Sequence, residues 1–148
     1  MKYFALLMLT TCGLVVATVA NGKPAPAATS DKLVAVDTHG AQRTCPVGKS
    51  PGWLNDAVNK IQPDVPELAS MHKEAGDGVF RLTVDPATGR VSNVTTVKST
   101  GFRPLDDSAS DALRKWRWKP GTWKEADVQI FFPKGAKKGD CVPQSPHK

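Results

Sequence analysis

Cysteine is scarce in this sequence, with 3 in 148 residues, and none sits in the Cys-x-x-Cys spacing that a thiol redox or zinc motif would use. Histidine is equally thin. His39, His72 and His147 lie far apart with no second ligand near them, so no metal site is expected. No Gly-x-Ser-x-Gly surrounds Ser92, Ser99 or Ser108, and no Ser-His-Asp set can be assembled, which leaves nucleophilic hydrolysis without a candidate. No stretch repeats itself, which excludes a solenoid or propeller. A chain of 15.9 kDa also excludes a large multidomain enzyme.

What is present is an ordinary globular composition, 40% hydrophobic and 23% charged, with 12 Pro and 12 Gly that announce irregular stretches. Lys and Arg number 20 against 14 Asp and Glu, a net charge of +6 that suits an anionic partner without naming one. The start of the chain is different in kind. After Lys2, residues Tyr3 to Ala20 carry no charge, and Thr18-Val19-Ala20 supplies the small residues a signal peptidase prefers. Residues 1–20 are therefore expected to be a signal peptide. The alternatives are an uncleaved anchor, since the run sits at the lower edge of membrane-spanning length, and a lipoprotein acylated at Cys12. Thr11 is a poor residue before such a cysteine.

Export decides how the remaining cysteines are read. Loss of residues 1–20 leaves Cys45 and Cys141 as an even pair in an oxidising compartment, and one disulfide between them is expected, tying an N-terminal arm to the tail. The loop it closes is long, for which chain entropy suggests on the order of 4 to 5 kcal/mol.

Along the rest of the chain, residues 21–49 read as a leader and arm, with a Pro and Ala stretch from Lys23 to Ser30 and a brief strand at Leu33 to Val36. Ser50-Pro51 looks like a helix start. Trp53, Leu54, Ala57, Val58 and Ile61 follow at spacings of three and four, which predicts a helix of about three turns ended by Pro63. Gln62 to Pro66 must be extended, because each proline pushes its predecessor out of the helical region, and Pro66 can open a short helix through Met71. Phe80, Leu82 and Val84 alternate in a strand from Val79 to Asp85, Pro86 to Gly89 turns, and Arg90 to Lys98 returns. The return strand spaces Val91, Val94 and Val97 by three, which predicts a bulge or a strand buried unevenly on both sides. Leu105, Ala109, Ala112, Leu113 and Trp116 form an amphipathic helix, with Asp106 and Asp107 at its start and Arg114, Lys115 and Arg117 at its end, matching the helix dipole. A last strand places Val128, Ile130 and Phe132 inward and Asp127, Gln129 and Phe131 outward. Residues 134–148 form a basic tail. The fold class is α+β, a small antiparallel sheet of about three strands with two or more helices on one face, and residues 50–133 are the domain.

The segments QPDVPELA at 62–69, GVFRLTVDPATGRVSNV at 78–94, KSTG at 98–101, LDDSASDALRKWRWKPG at 105–121 and the closing VQIFF come in an order that resembles the periplasmic C-terminal domain of TonB, the energy transducer of Gram-negative outer-membrane transport. The resemblance implies a protein-interaction domain, not an enzyme, and no cofactor. Its partner would be an outer-membrane transporter or another envelope protein. It also implies that the exposed edge of the last strand, Val128, Gln129, Ile130, Phe131 and Phe132, takes up an extended peptide by strand addition, beside the segment matching Gln62, Pro63, Val65 and Pro66. Where the family commonly has Tyr, this chain has Val65. A homodimer through the last strand is a second expectation. The apolar start has no His or acidic residue to couple to a proton gradient, and Lys23 to Ser30 is too short to span a periplasm. The expectation is thus a stand-alone domain in the periplasm. The alternatives are a membrane-anchored transducer facing the periplasm and an envelope protein that has lost peptide binding.

Other features have plainer readings. Trp116, Trp118 and Trp123 among Arg114, Lys115, Arg117, Lys119 and Lys124 imitate a nucleic-acid platform, but export and the helix stripe argue for core packing, so no nucleic acid is expected. Asp106, Asp107 and Asp111 are accounted for by helix capping and dipole. Asn93-Val94-Thr95 is a glycosylation sequon by pattern only.

Overall fold

The computed structural model describes residues 31–137 and 142–143. In chain order the elements are β1 (Lys32–Asp37), β2 (Gln42–Pro46), a 3-10 turn at Gly52–Asp56, β3 (Ala57–Asn59), α1 (Glu67–Met71), β4 (Gly76–Val84), β5 (Val91–Lys98), α2 (Arg103–Arg114), β6 (Arg117–Trp118), β7 (Trp123–Phe132) and β8 (Val142–Pro143). The antiparallel sheet runs β2-β1-β7-β4-β5, with β8 also paired to β7, and β3 and β6 make a separate two-stranded ribbon. The α+β class holds, but the sheet has five strands along its path, and β8 besides, where about three were expected. The added pair is β1 and β2, a hairpin inside the segment read as leader and arm. Its own Leu33 and Ala35 lose all exposure in the core, so the hairpin is fixed by burial as well as by the ladder.

The β4–β5 hairpin forms where the alternation places it, and its turn is closed by Asp85. That carboxylate accepts from the Ala87 amide at 3.0 Å and the Thr88 hydroxyl at 2.7 Å. The valine spacing of three is resolved by two register shifts, at Val79/Phe80 and Thr83/Val84. Each inserts one residue, and Val91, Val94 and Val97 all pack against the core. In α2 the stripe of Leu105, Ala109, Ala112 and Leu113 is buried, and Asp106 reaches back to the Thr100 amide and hydroxyl, both at 2.8 Å, fixing the entry from β5. Leu105, Ala109 and Leu113 meet Phe80 and Leu82 of β4 and Val128, Ile130 and Phe132 of β7 in one cluster. Burying each large apolar side chain is worth roughly 1.5 to 3 kcal/mol.

The helix expected from Trp53 to Ile61 does not form. After the 3-10 turn the chain is extended at Ala57, with ψ at 111°, and β3 pairs with β6. The spacing of Trp53, Leu54 and Ala57 suits a helix, yet Val58 ends up 75% exposed. Tertiary bonds supply the reason. The Asp56 carbonyl accepts from the Lys119 amide at 2.9 Å and its carboxylate from the Trp123 indole at 2.9 Å, so the backbone is claimed by a neighbouring strand before a second helical turn can close.

The last strand is not an edge either. Trp123–Phe132 has β4 along one side, while on the other Ala35 to Asp37 of β1 face Trp123 to Ala126 and β8 faces Ile130 and Phe131. Along the main path of the sheet the outer strands are β2 and β5. A homodimer through β7 would have to displace β8 or use only the short stretch between Ala126 and Ile130. The reason is the β1–β2 hairpin and β8, neither of which the alternation within the last strand could announce.

Candidate functional site

The segment expected to meet a partner, Gln62 to Pro66, is held in extended form along α2. The Trp116 indole donates to the Ile61 carbonyl at 2.8 Å and the Ser108 hydroxyl donates to the Asp64 carbonyl. Two prolines deny this segment a regular partner strand, so side-chain donors on α2 and just after it do the work that a ladder would do. Pro63 and Val65 are buried, Pro66 is half-buried, and Gln62 and Asp64 face solvent. Between segment and helix lies a groove of about 420 Å³ lined by residues that include Ile61, Gln62, Pro66, Pro104, Asp107 and Lys115. Leu68 and Met71, three apart on α1, are 67% and 70% exposed, so α1 adds uncovered apolar surface immediately after it in the chain.

On β7 the sequence-predicted residues separate by face. Val128, Ile130 and Phe132 are fully buried, sharing one core with Val65, and can offer a partner only their backbone. Gln129 and Phe131 lie on the opposite face. Gln129 was expected to point to solvent but is 9% exposed, since its amide oxygen accepts from the Gly48 amide at 2.8 Å and its amide nitrogen donates to Asp77 at 3.3 Å. Asp127, also expected outward, has no exposure at all. Arg81 of β4 reaches its carboxylate through Nε at 2.8 Å and Nη2 at 3.0 Å, and the Val34 amide of β1 donates to it at 3.0 Å. The Trp53 indole closes on the Asp127 carbonyl at 3.0 Å. This polar seam fastens the N-terminal hairpin and the 3-10 turn to β7. Sequence reading missed it, although a lone carboxylate inside an apolar strand and a lone Arg inside the first strand of the hairpin were a signal.

Cys45 is half-buried on β2 with its Sγ 3.9 Å from the Lys49 carbonyl. Its expected partner, Cys141, lies outside the described residues, as do the proposed signal segment 1–20 and most of the basic tail. Among the described residues no group of three or more His, Cys, Asp or Glu side chains could hold a metal ion, and no helix is long and apolar enough to cross a membrane.

Three carboxylates are held below their ordinary value of 3.8: Asp77 chiefly by its bond from Lys98 at 2.8 Å, Asp37 chiefly by the Ala41 amide, and Asp85 chiefly by the Thr88 hydroxyl. Because the folded state releases these protons more readily than the unfolded chain, their contribution is complete above that value and is lost as pH falls below it. The urea midpoint is expected to change little between about pH 7 and 5 and to drop between about pH 4 and 2. An unchanged midpoint across that lower window would contradict the assignment.

A family described as the C-terminal part of the Gram-negative bacterial TonB protein matches residues 61–133. Residues 61–133 belong to the TonB C-terminal domain family. The TonB protein of Neisseria meningitidis serogroup B is 34% identical over 71 residues, covering 48% of this chain and 25% of the relative. TonB of Xanthomonas campestris is 38% identical over 64 residues, covering 43% of this chain and 28% of the relative. The chain thus spans about a quarter of the length of these curated relatives. The TonB-like part runs from the Gln62 segment to the end of β7; β1, β2, the 3-10 turn and β3 all precede it.

Proposed function

We propose that this chain is a periplasmic protein-interaction module that binds an extended segment of an outer-membrane transporter by strand addition to β7, with Gln62, Pro63, Val65 and Pro66 flanking the docked partner. The observation that carries the reading is the unequal cover of β7. Its first half is sealed by β1 and the buried Asp127 seam, whereas Ile130 and Phe131 face only the two residues of β8. A ladder that short contributes few hydrogen bonds, each worth roughly 0.5 to 1.5 kcal/mol net, so a longer incoming strand can replace it. In this arrangement Val128, Gln129, Ile130 and Phe132 bind through main-chain groups, the Gln129 amide being engaged by Gly48 and Asp77, and the half-buried Phe131 supplies selectivity on the far face. Val65, buried and without a hydroxyl, gives the flanking segment an apolar contact only.

The test is titration of a fluorescently labelled, extended transporter peptide into the full chain and into a chain ended after Lys137, which removes β8. Truncation is expected to tighten binding roughly three- to tenfold, because the competent state no longer competes with β8. Amide shifts should concentrate at 129–132. Absence of binding to both chains would overturn the reading and favour an envelope protein that has lost peptide recognition.

A further inference from the structure

Gly89 sits at the end of the β4–β5 turn with φ at +70°, and a Cβ there would lie 1.9 Å from the Trp118 carbonyl oxygen. Only glycine permits this approach, and the Trp118 amide uses it to donate to the Gly89 carbonyl at 2.7 Å. The consequence falls on the residue after Gly89 and the residue before Trp118. Arg90 and Arg117 become directly opposed across an isolated antiparallel bridge. The bond one step outside them makes theirs the non-hydrogen-bonded kind of pair, with Cα atoms about 4.5 Å apart and side chains on one face. On the other side of Arg117, β3 places Asn59 opposite it. Trp118 points into the core, so this row of Asn59, Arg117 and Arg90 looks outward, with Arg90 and Asn59 exposed and Arg117 half-buried.

Like charges placed directly opposite are unfavourable, by roughly 0.2 to 1 kcal/mol. A fold normally relieves such a pair with a carboxylate. Here neither guanidinium makes an ion pair among the described residues. The carboxylates of adjoining segments are engaged elsewhere: Asp85 holds Thr88 and Ala87, Asp56 holds the Trp123 indole, and Asp111 pairs with Arg114.

We infer that Arg90, Arg117 and the Asn59 amide form a binding site for a phosphate group, carried by a phospholipid headgroup or as a free phosphate. Two adjacent guanidiniums present paired N–H donors that match phosphate oxygens bidentately, and the Asn amide adds a neutral donor at the rim. The site lies on the β3–β6 ribbon and does not depend on how the β7 edge is used.

The experiment compares the full chain with an Arg90→Gln/Arg117→Gln variant and with a control, Lys49→Gln/Lys124→Gln, that removes the same charge from exposed positions elsewhere. Sedimentation with phosphatidylglycerol/phosphatidylcholine vesicles is read against phosphatidylcholine alone, so any charge-independent insertion of residues 1–20 cancels. In parallel, inorganic phosphate is titrated while the Arg90 and Arg117 Nε–H resonances are followed. Loss of the anionic preference by about 30-fold in the arginine variant, with less than about threefold in the control, assigns the site to a headgroup. Saturable shifts with inorganic phosphate but no vesicle preference assign it to a free phosphate. No response in either arm, or equal losses in variant and control, overturns the inference. Circular dichroism of the variant checks that the two Arg→Gln changes leave the fold intact.

Discussion

Asp127→Ala should lower the free energy of unfolding by about 3 to 5 kcal/mol, read as a fall in urea midpoint with little change in slope. The carboxylate is fully buried and carries three bonds from two different strands, at 2.8 and 3.0 Å from Arg81 and 3.0 Å from the Val34 amide. Removing it strips the counter-charge from a largely buried guanidinium and the acceptor from a backbone amide at once. Each loss carries a desolvation penalty that the folded state no longer offsets. Asp127→Asn, which keeps an acceptor for Val34, should lose less. Replacing Asp127 and Arg81 together by Met should cost less than Asp127→Ala alone, since an apolar pair of similar volume leaves no charge behind. Hydrogen exchange adds a local readout. The β1 amides Val34 to Val36 should open faster in Asp127→Ala, because this carboxylate joins β1 to β7 just beyond the pairing of Ala35 with Ala126. A loss under about 1 kcal/mol with unchanged β1 exchange would show that the seam is not what holds the hairpin.

Trp116→Ala should cost a comparable amount, about 3 to 5 kcal/mol, and should also disturb the candidate docking segment. The ring is fully buried at the end of α2, tilted at 43° to Trp118 with centroids 6.4 Å apart, and its indole holds the Ile61 carbonyl at 2.8 Å. Truncation leaves a cavity too enclosed to collapse and releases the start of the Gln62 to Pro66 segment. Trp116→Phe separates the two effects: it retains much of the packing and removes the indole donor, so a loss of about 1 to 2 kcal/mol is expected. If peptide affinity falls in Trp116→Phe while stability is nearly kept, the anchoring of that segment matters for recognition. A stability loss below about 1 kcal/mol in Trp116→Ala would be incompatible with the burial described.

Much of the TonB-like part was legible before any coordinates. The β4–β5 hairpin and its bulges followed from Phe80, Leu82 and Val84 alternating against valines spaced by three. Helix α2 followed from a stripe that begins at Leu105 and ends at Trp116, with charges of the right sign at each end. These are local codes, in which the side-chain period and the nearest turn residues settle the backbone. The extended Gln62 to Pro66 segment belongs with them, because proline restricts its own φ and its predecessor without help from elsewhere.

Where local preference was weak or balanced, contacts distant in sequence decided. The stripe from Trp53 to Ile61 satisfies helical spacing, but Asp56 is bonded to Trp123 and Lys119, and β6 draws Ala57 to Asn59 into a ribbon. Asp127 and Gln129 read as outward because strand alternation gives the face and not what covers it. Here the loop after β2 and the Arg81 side chain cover that face and make both residues interior. The edge status of β7 is the largest such case. Residues 123–132 by themselves specify a strand, and the identity of its neighbours is set by β1 and β8, whose own sequences are too short and too ordinary to declare a partner. The sequence determined the helices, the hairpin and the family through local periodicity and motif order. The tertiary structure alone decided which strand edges stay open and which charges stand side by side, because both are properties of chains brought together from far apart.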